Sequence, residues 1–373
     1  MDDPRIEQLA HVLVNYSTEI KPRDRVGIVG SPLATPLIRQ IVRQVLRAGG
    51  YPYPLMGYDS YLAYFGFDDI FLTEASEDQL RHVSSVETML RGDFEALIIL
   101  RSRENTRNLA NVDDARRVIR NRAYHPLMDV FRQRGARREL KWCGSLFPTL
   151  ALAQDADMSL EDYEAFVFGG MYVDGPDATA RWQAQREEQA RLIEWLRGRK
   201  RVEVRGPNAD LRLSIEGRTF INCCGLLNMP DGEIFTGPVE DSAEGWVRFT
   251  YPAIASGIEV DGVELSFERG RVVRATAQKN EAYLLSQIDT DAGARYLGEW
   301  AIGTNARIDR FTKDILFDEK LIGSFHMALG FGFPDTGSKN DSAIHWDMIC
   351  DMRQGGQILV DGDLFYDSGA FTV

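Results

Sequence analysis

Cysteine is scarce in this chain of 373 residues, which has only Cys143, Cys223, Cys224 and Cys350. They form no CxxC pair and are too few for the disulfide framework of a small secreted domain. We therefore expect reduced, mostly buried thiols. Lysine is also scarce, with 7 lysines against 36 arginines. This low number gives little support to an enzyme that works through a lysine Schiff base.

Long apolar runs and basic tracts are missing as well. The apolar run 96–100 falls far short of the roughly 20 residues that a membrane-spanning helix needs. The first residues, MDDPRIEQ, lack the positive and apolar regions of a secretory signal, so we expect a cytoplasmic protein. A net charge of −13 without an aromatic-interleaved basic tract argues against nucleic acid as a partner. We expect no membrane partner either.

The negative charge is unevenly distributed along the chain. Residues 1–200 carry a net charge of −2, and residues 201–373 carry −11. A chain of this length commonly holds two or three domains, so this change in composition predicts a boundary near residue 200. We expect one domain over 1–200 and another over 201–373.

The first 200 residues alternate helical and strand patterns. Strand patterns at 25–29, 95–100 and 140–143 are separated by helical ones, such as 37–46, which is followed by a glycine pair. This alternation predicts an α/β domain with a mostly parallel sheet covered by helices. The turn at 27–32 lacks GxGxxG and GxxxxGK[ST], so we expect no nucleotide cofactor.

The second half has a different residue pattern. Short segments at 202–204, 211–215 and 263–267 alternate apolar and polar residues with a period of two. Glycine-containing turns separate such segments, and 358–366 has the pattern of a hairpin. A polar helical stretch at 177–199 precedes this region. The pattern predicts an α+β, strand-rich domain with antiparallel pairs.

Two of the five histidines, His326 and His345, lie in the acidic half. On a strand, His345 and Asp347 would point to the same face, where they could bind a metal or act as an acid/base pair. A hydrogen-bonded pair on a half-buried strand also explains them. His326 in its apolar surroundings equally fits a satisfied core histidine. The residues alone leave these alternatives open.

Carboxylates are concentrated in the same half. The segment 229–242 contains four acids and no base. Such a segment is either a solvated loop or a site whose charge is completed by a metal ion. Within it, Glu233 directly follows a Pro-Asp-Gly turn. Glu299 lies in the otherwise apolar stretch 296–303, where a buried acid needs a partner.

Six ordered motifs mark the second half. They are NMPDGEIFTGPVEDS at 228–242, VRFTYPA at 247–253, ARYLGE at 294–299, LFDE at 316–319, HMALG at 326–330 and SAIHWDM at 342–348. With these motifs the chain closely resembles the metallopeptidase family of the thermophilic aminopeptidases, of the aminopeptidase T and aminopeptidase S type. The match runs through most of residues 201–373 in the family's order, whereas the first half agrees only in its general α/β style.

The resemblance implies an aminopeptidase that releases N-terminal residues from peptides with two divalent ions. Zinc or cobalt is favoured, with manganese or magnesium as alternatives, and a homodimer is implied. Carried over by motif, the family's metal ligands are Glu233, Glu299, His326, His345 and Asp347. Glu319 matches a further glutamate at the metal centre and is the expected general base. Acids at 240–244 are candidates for binding the substrate's α-ammonium.

One position departs from the family's pattern. Seven residues after His326, where the family commonly has a tyrosine near the metals, this chain has Phe333. Without a phenolic hydroxyl, this side chain can neither ligate a metal nor donate a hydrogen bond to an oxyanion. We therefore expect the rate or the metal preference to differ.

Two other functions fit part of the same residues. His326, His345 and Asp347 also make a 2-His-1-carboxylate set, which holds a single iron(II) in oxygenases. Ring-cleaving dihydroxypyridine dioxygenases are relatives of these peptidases. A non-catalytic binding relative is suggested only by Phe333. Glu233 and Glu299 favour two ions over one, so the aminopeptidase is the leading hypothesis.

Overall fold

The computed structural model describes residues 3–56, 67–255 and 257–373. They form two compact units, each described here by itself. The first unit comprises Met1–Trp182 and Gly225–Pro230, and the second comprises Gln183–Cys224 and Asp231–Val373. The domain limits expected from composition, 1–200 and 201–373, stay predictions, because compactness alone does not establish that a segment folds independently.

The first unit alternates helices and strands along most of its length. The elements are α1 (Pro4–His11), β1 (Arg25–Gly30), α2 (Thr35–Arg47), β2 (Tyr51–Met56), α3 (Asp68–Glu74), α4 (Glu77–Arg81), α5 (Ser85–Gly92), β3 (Ala96–Arg101), α6 (Asp114–Ala136), β4 (Lys141–Leu146), α7 (Leu150–Asp155) and α8 (Leu160–Gly170). The helix α9 (Ala178–Leu196) begins in this unit and continues into the second.

Parallel pairing joins the strands of the first unit. Their order is β2-β1-β3-β4, extended at the β4 edge by the short strand Asn228–Met229. In β3 all residues except the last are buried, as expected for a strand covered by helices on both faces. These pairings confirm the predicted parallel sheet. None of the helices in the described ranges combines the length and the hydropathy of a membrane-spanning segment.

Strands dominate the second unit. After α9, and with Asn228–Met229 counted as β8, the elements are β5 (Arg201–Gly206), β6 (Ala209–Ser214), β7 (Ile221–Cys223), β9 (Glu233–Thr236), β10 (Glu244–Arg248), β11 (Ala253–Ala255), β12 (Ile258–Val260), β13 (Glu264–Glu268), β14 (Arg271–Thr276), α10 (Glu281–Ile288), β15 (Leu297–Gly303), α11 (Ile315–Asp318), β16 (Ser324–Gly330), β17 (His345–Asp351), β18 (Gln357–Val360), β19 (Asp363–Asp367) and β20 (Ala370–Phe371). The predicted hairpin at 358–366 is β18 with β19.

Antiparallel sheets organise these strands. One has the order β14-β13-β10-β6-β5-β18-β19-β20, and a second, here called the site sheet, has the order β17-β16-β15-β9-β7. Their pairings are antiparallel. This observation confirms the antiparallel, strand-rich character predicted for the second half.

The site sheet has one apolar face. Phe325 and Met327 of β16, Trp300 of β15 and Met348 of β17 are buried in the main apolar core of the second unit. Successive side chains on a strand point to opposite faces, so the residues between them belong to the other face. The apolar core therefore packs against one face of the site sheet, and the opposite face carries polar side chains.

We expect the alanine substitution Phe325→Ala to destabilise the second unit strongly. Phe325 is fully buried in the core, so its truncation costs about 3–5 kcal/mol through lost burial and a residual cavity. Val273→Ala on β14 is the control, because Val273 is 46% exposed and its truncation should change the free energy of unfolding by less than about 0.5 kcal/mol. Urea unfolding followed by circular dichroism measures both, and equal losses would contradict the assigned core.

Candidate metal centre

The five ligands implied by the family resemblance lie on the polar face of the site sheet. Glu233 begins β9, Glu299 lies in β15, His326 in β16, and His345 and Asp347 in β17. These four strands are neighbours in the sheet. Because side chains two residues apart share a face, the spacing of His345 and Asp347 brings both to the same side, as the sequence predicts.

Small residues leave room between these side chains. Ala328 pairs with Glu299 on one neighbouring strand and with Asp347 on the other. Gly303 pairs with Glu233 across the β15–β9 ladder. Cross-strand neighbours on one face are about 4.5–5.5 Å apart, so a larger side chain at Ala328 would fill the space between the two carboxylates.

The first cluster on this face joins Glu233, Glu299 and His326. The Nε2 atom of His326 lies 3.1 Å from Oε2 of Glu233 and 3.3 Å from Oε1 of Glu299. Each of the three offers one ligand atom, and these atoms lie within 4.8 Å of one another. All three side chains are almost fully buried. Two carboxylates and an imidazole at this spacing are suited to a divalent transition metal.

A second cluster joins His345 and Asp347 to the other oxygen of Glu299. The Nε2 atom of His345 lies 3.6 Å from Oε2 of Glu299 and 3.6 Å from Oδ2 of Asp347. The two oxygens of Glu299 thus face different histidines, His326 on one side and His345 on the other. Glu299 is therefore the side chain that the two clusters share.

The tautomer of His345 follows from its hydrogen bond. Its Nδ1 lies 2.8 Å from the backbone carbonyl oxygen of Phe331. A carbonyl oxygen only accepts, so Nδ1 carries the proton and donates it, which leaves the lone pair of neutral imidazole on Nε2. Metal-binding histidines are typically oriented in this way by a bond from their second nitrogen.

Buried polar atoms without partners support a cation at this face. Oδ1 of Asp347 makes no hydrogen bond to the part of the chain that the structure describes. Oε2 of Glu233 lies close to His326 without hydrogen-bond alignment. Unsatisfied buried carboxylate oxygens are costly unless a cation binds them. The donor set of imidazole nitrogens and carboxylate oxygens therefore fits the divalent ions of a metallopeptidase.

Both histidines hold protons more tightly than an ordinary histidine. Burial lowers the pKa of His326, but the carboxylates of Glu233 and Glu299 outweigh burial and raise this pKa well above its ordinary value. Burial likewise lowers the pKa of His345, and the charges of Asp347 and Glu299 outweigh it, so the pKa is raised. Protons and metal cations would therefore compete for these two imidazoles.

Glu319 and Lys320 approach the first cluster from the end of α11. Nζ of Lys320 lies 2.6 Å from Oε1 of Glu233 and 2.7 Å from Oε2 of Glu319. Burial raises the pKa of Glu319, although Lys320 counteracts it. Burial also acts to raise the pKa of Glu233, but Lys320 and His326 outweigh it and lower this pKa. Glu319 is thus a carboxylate of raised proton affinity beside the cluster.

Sequence patterns did not identify some of the residues near this face as site residues. Cys223 and Asp231 lie beside Glu233, and one ligand atom from each of the three lies within 4.8 Å of the others. Lys320 is fully buried here, although lysine is scarce in the chain. The position of Lys320 directly after Glu319 was the available signal, but adjacent opposite charges are common on protein surfaces and carry little information.

Glu240 does not fit the role expected for the acids at 240–244. Its Oε2 accepts a hydrogen bond of 2.6 Å from Nη2 of Arg218, and its Oε1 accepts one of 2.7 Å from the backbone N–H of Lys339. A carboxylate with these partners is already neutralised. The expectation that Glu240 is free to bind a substrate ammonium is therefore wrong.

Phe333 lies beside the second cluster. Its ring centroid is 5.4 Å from that of His345 and 5.4 Å from that of Phe235, in edge-to-face geometry. Phe331 lies 5.5 Å away on another side. Phe333 is 39% exposed. The position where the family commonly has tyrosine is thus an accessible aromatic surface next to a candidate ligand.

Known proteins resemble this chain over much of its length. The family described as thermophilic metalloprotease (M29) matches residues 2–371. Aminopeptidase 2 of Geobacillus stearothermophilus is 26% identical over 384 residues, which cover 93% of this chain and 92% of that protein. Aminopeptidase T of Thermus thermophilus is 29% identical over 258 residues, which cover 62% of this chain and 60% of that protein.

A solved structure shows the same fold. Wild-type AmpT from Thermus thermophilus matches with a TM-score of 0.84 and 21% identity, over 99% of each chain. The family match spans nearly the whole chain, including the first half, where the sequence motifs were weak. The chain therefore belongs to the thermophilic metalloprotease (M29) family, as the motifs of its second half predict.

Proposed function

We propose that this protein is an aminopeptidase with two divalent ions at the site sheet. The observation that carries the proposal is the position of Glu299, whose two carboxylate oxygens face two different histidines. Glu233, Glu299 and His326 would hold one ion, and Glu299, His345 and Asp347 the other. Zinc or cobalt suits these donors best. The curated relatives, named aminopeptidases, support removal of N-terminal residues.

The chemistry is peptide hydrolysis by an activated water. Bound divalent ions supply Lewis acidity and lower the pKa of a water at the site. Glu319 is our choice of general base, which would accept the proton of the attacking water and return it to the leaving amine. Its raised pKa suits this exchange, because a base works best when its pKa is near the working pH. His345, held by the Phe331 carbonyl, keeps its Nε2 directed at Glu299 and Asp347.

The iron-dependent dioxygenase uses fewer of these residues. A 2-His-1-carboxylate site would need only His326, His345 and Asp347. It would assign no role to the buried Glu299, whereas Glu233 would keep its ion pair with Lys320. Metal analysis separates the two functions. Two ions per chain with amine release support the aminopeptidase, whereas one iron with oxygen uptake supports the dioxygenase.

The homodimer implied by the family stays a prediction, which light scattering tests.

We expect His345→Ala to remove one bound ion and peptidase activity together. The substitution deletes an imidazole of the second cluster and leaves Asp347 without its neighbour, so kcat for an aminoacyl-p-nitroanilide should fall at least about 1,000-fold. His125→Ala is the matched control, because His125 is 69% exposed on α6 and should retain metal and rate. Plasma emission spectrometry counts the ions. Full activity with a lowered metal content would contradict the assignment of His345 as a ligand of a catalytic metal.

Metal binding to chelator-treated protein should release protons at pH 7. The pKa of His326 is raised, which favours its protonated form, and a proton on Nε2 must be lost before this nitrogen binds an ion. The affinity for Co²⁺ should therefore rise with pH, by up to about tenfold per pH unit for each proton released, until the pKa of His326 is passed. Calorimetry in two buffers of different ionisation enthalpy counts the protons. A pH-independent affinity without proton release contradicts this interpretation.

Phe333→Tyr should raise kcat by about tenfold. The substitution adds a hydroxyl to a ring beside His345, where it can donate a hydrogen bond to charge that develops in the transition state. Phe331→Tyr is the control on the neighbouring ring, which lies on another side of Phe333. Steady-state kinetics of both variants with identical metal loading provide the measurement. An equal response of the two variants would show that the effect is not specific to position 333.

A further inference from the structure

Lys320 is the buried cation of the candidate metal centre. Its side chain is fully buried, and its Nζ lies 2.6 Å from Glu233, 2.7 Å from Glu319 and 3.8 Å from Asp231. Burying an ammonium costs several kcal/mol unless charged partners compensate it, so a lysine in this position needs these carboxylates. The carboxylates need it equally, because without metal they would repel one another.

The two carboxylate oxygens of Glu233 have different partners. Oε1 accepts a hydrogen bond from Lys320, and Oε2 lies 3.1 Å from Nε2 of His326. Rotation of the carboxylate would break the bond to Lys320. Glu233 is thereby fixed with a single oxygen turned toward His326 and Glu299.

The same ammonium holds Glu319. Nζ of Lys320 donates to its Oε2, and the backbone at this point is fixed as well. The N–H of Lys320 donates to the carbonyl of Phe317, and the preceding Asp318 accepts hydrogen bonds from Thr312. Lys320 therefore extends from a hydrogen-bonded turn at the end of α11, from which it can hold a second carboxylate.

We propose that Lys320 is a positioning residue, whose ammonium keeps Glu233 directed at the first ion site and Glu319 directed at the reacting water. This inference rests on the proposed aminopeptidase function and adds a residue to its machinery. Neither the motif assignment nor the metal-donor chemistry includes a lysine.

The charges at the site agree with this role. The acids that surround the two clusters are Asp231, Glu233, Glu299, Glu319 and Asp347. If all five of these described carboxylates are ionised and the histidines are neutral, two divalent cations and one ammonium balance their charge. Lys320 supplies the single charge that the two ions leave over.

The test compares Lys320→Met in metal-free and cobalt-saturated protein. Methionine keeps most of the apolar stem but removes the charge. The melting temperature should fall more in chelator-treated protein than in cobalt-saturated protein, because the ions replace part of the lost positive charge. Lys279→Met is the control, since Lys279 is 56% exposed in its ion pair with Glu259. Lys320→Gln is the second neutral variant if Lys320→Met does not fold.

Kinetics supply a second readout. Lys320→Met should lower kcat about 100-fold and leave KM within about threefold, because general-base catalysis is lost while substrate contacts remain. Glu319→Gln should lower kcat similarly in cobalt-saturated protein. The double variant should then be little slower than Glu319→Gln alone, because saturating cobalt offsets the effect on Glu233 and the remaining effect of Lys320 acts through Glu319.

Distinct results overturn the two proposals. Equal melting-temperature losses with and without cobalt, together with additive losses in kcat, would overturn the role of Lys320 and leave the aminopeptidase intact. Wild-type protein that binds no divalent ion and cleaves no aminoacyl substrate would overturn the proposed function itself.

Discussion

Buried negative charge has to be matched by positive charge, and this requirement organises the polar face of the site sheet. Glu233 and Glu299 lie directly in front of an apolar core that offers them no compensation. Lys320 supplies part of it, and the raised pKa of His326 favours a second positive charge beside the same carboxylates. The same carboxylates therefore affect both stability and chemistry. Without a cation their mutual repulsion would lower the stability of the fold, and their negative charge is what would bind a cation.

The local part of this arrangement could be predicted from the sequence. The spacing of His345 and Asp347 requires only the alternation of a strand, and β17 has it. The period-two segments of the second half and the hairpin at its end are likewise local patterns. The meeting of Glu233, Glu299 and His326 is different, because it depends on β9, β15 and β16 being neighbours. Only the resemblance to a family indicated it.

Other features depended on contacts that no local pattern encodes. Asn228–Met229 is too short to show a period, yet it joins the parallel sheet beside β4. Glu240 lies in a segment without bases, and its partner Arg218 comes from another part of the chain. The burial of Lys320 requires the strand of Glu233 and the end of α11 to meet. In each case the deciding energy comes from tertiary packing.

The bond from His345 to Phe331 has a consequence for how this site changes in evolution. The orienting acceptor is a main-chain carbonyl, which every amino acid possesses. Substitutions at position 331 can therefore alter the aromatic surface around Phe333 without removing the group that sets the imidazole's tautomer. The side chain at position 331 is free to diversify, while the orientation of the histidine is inherited with the backbone.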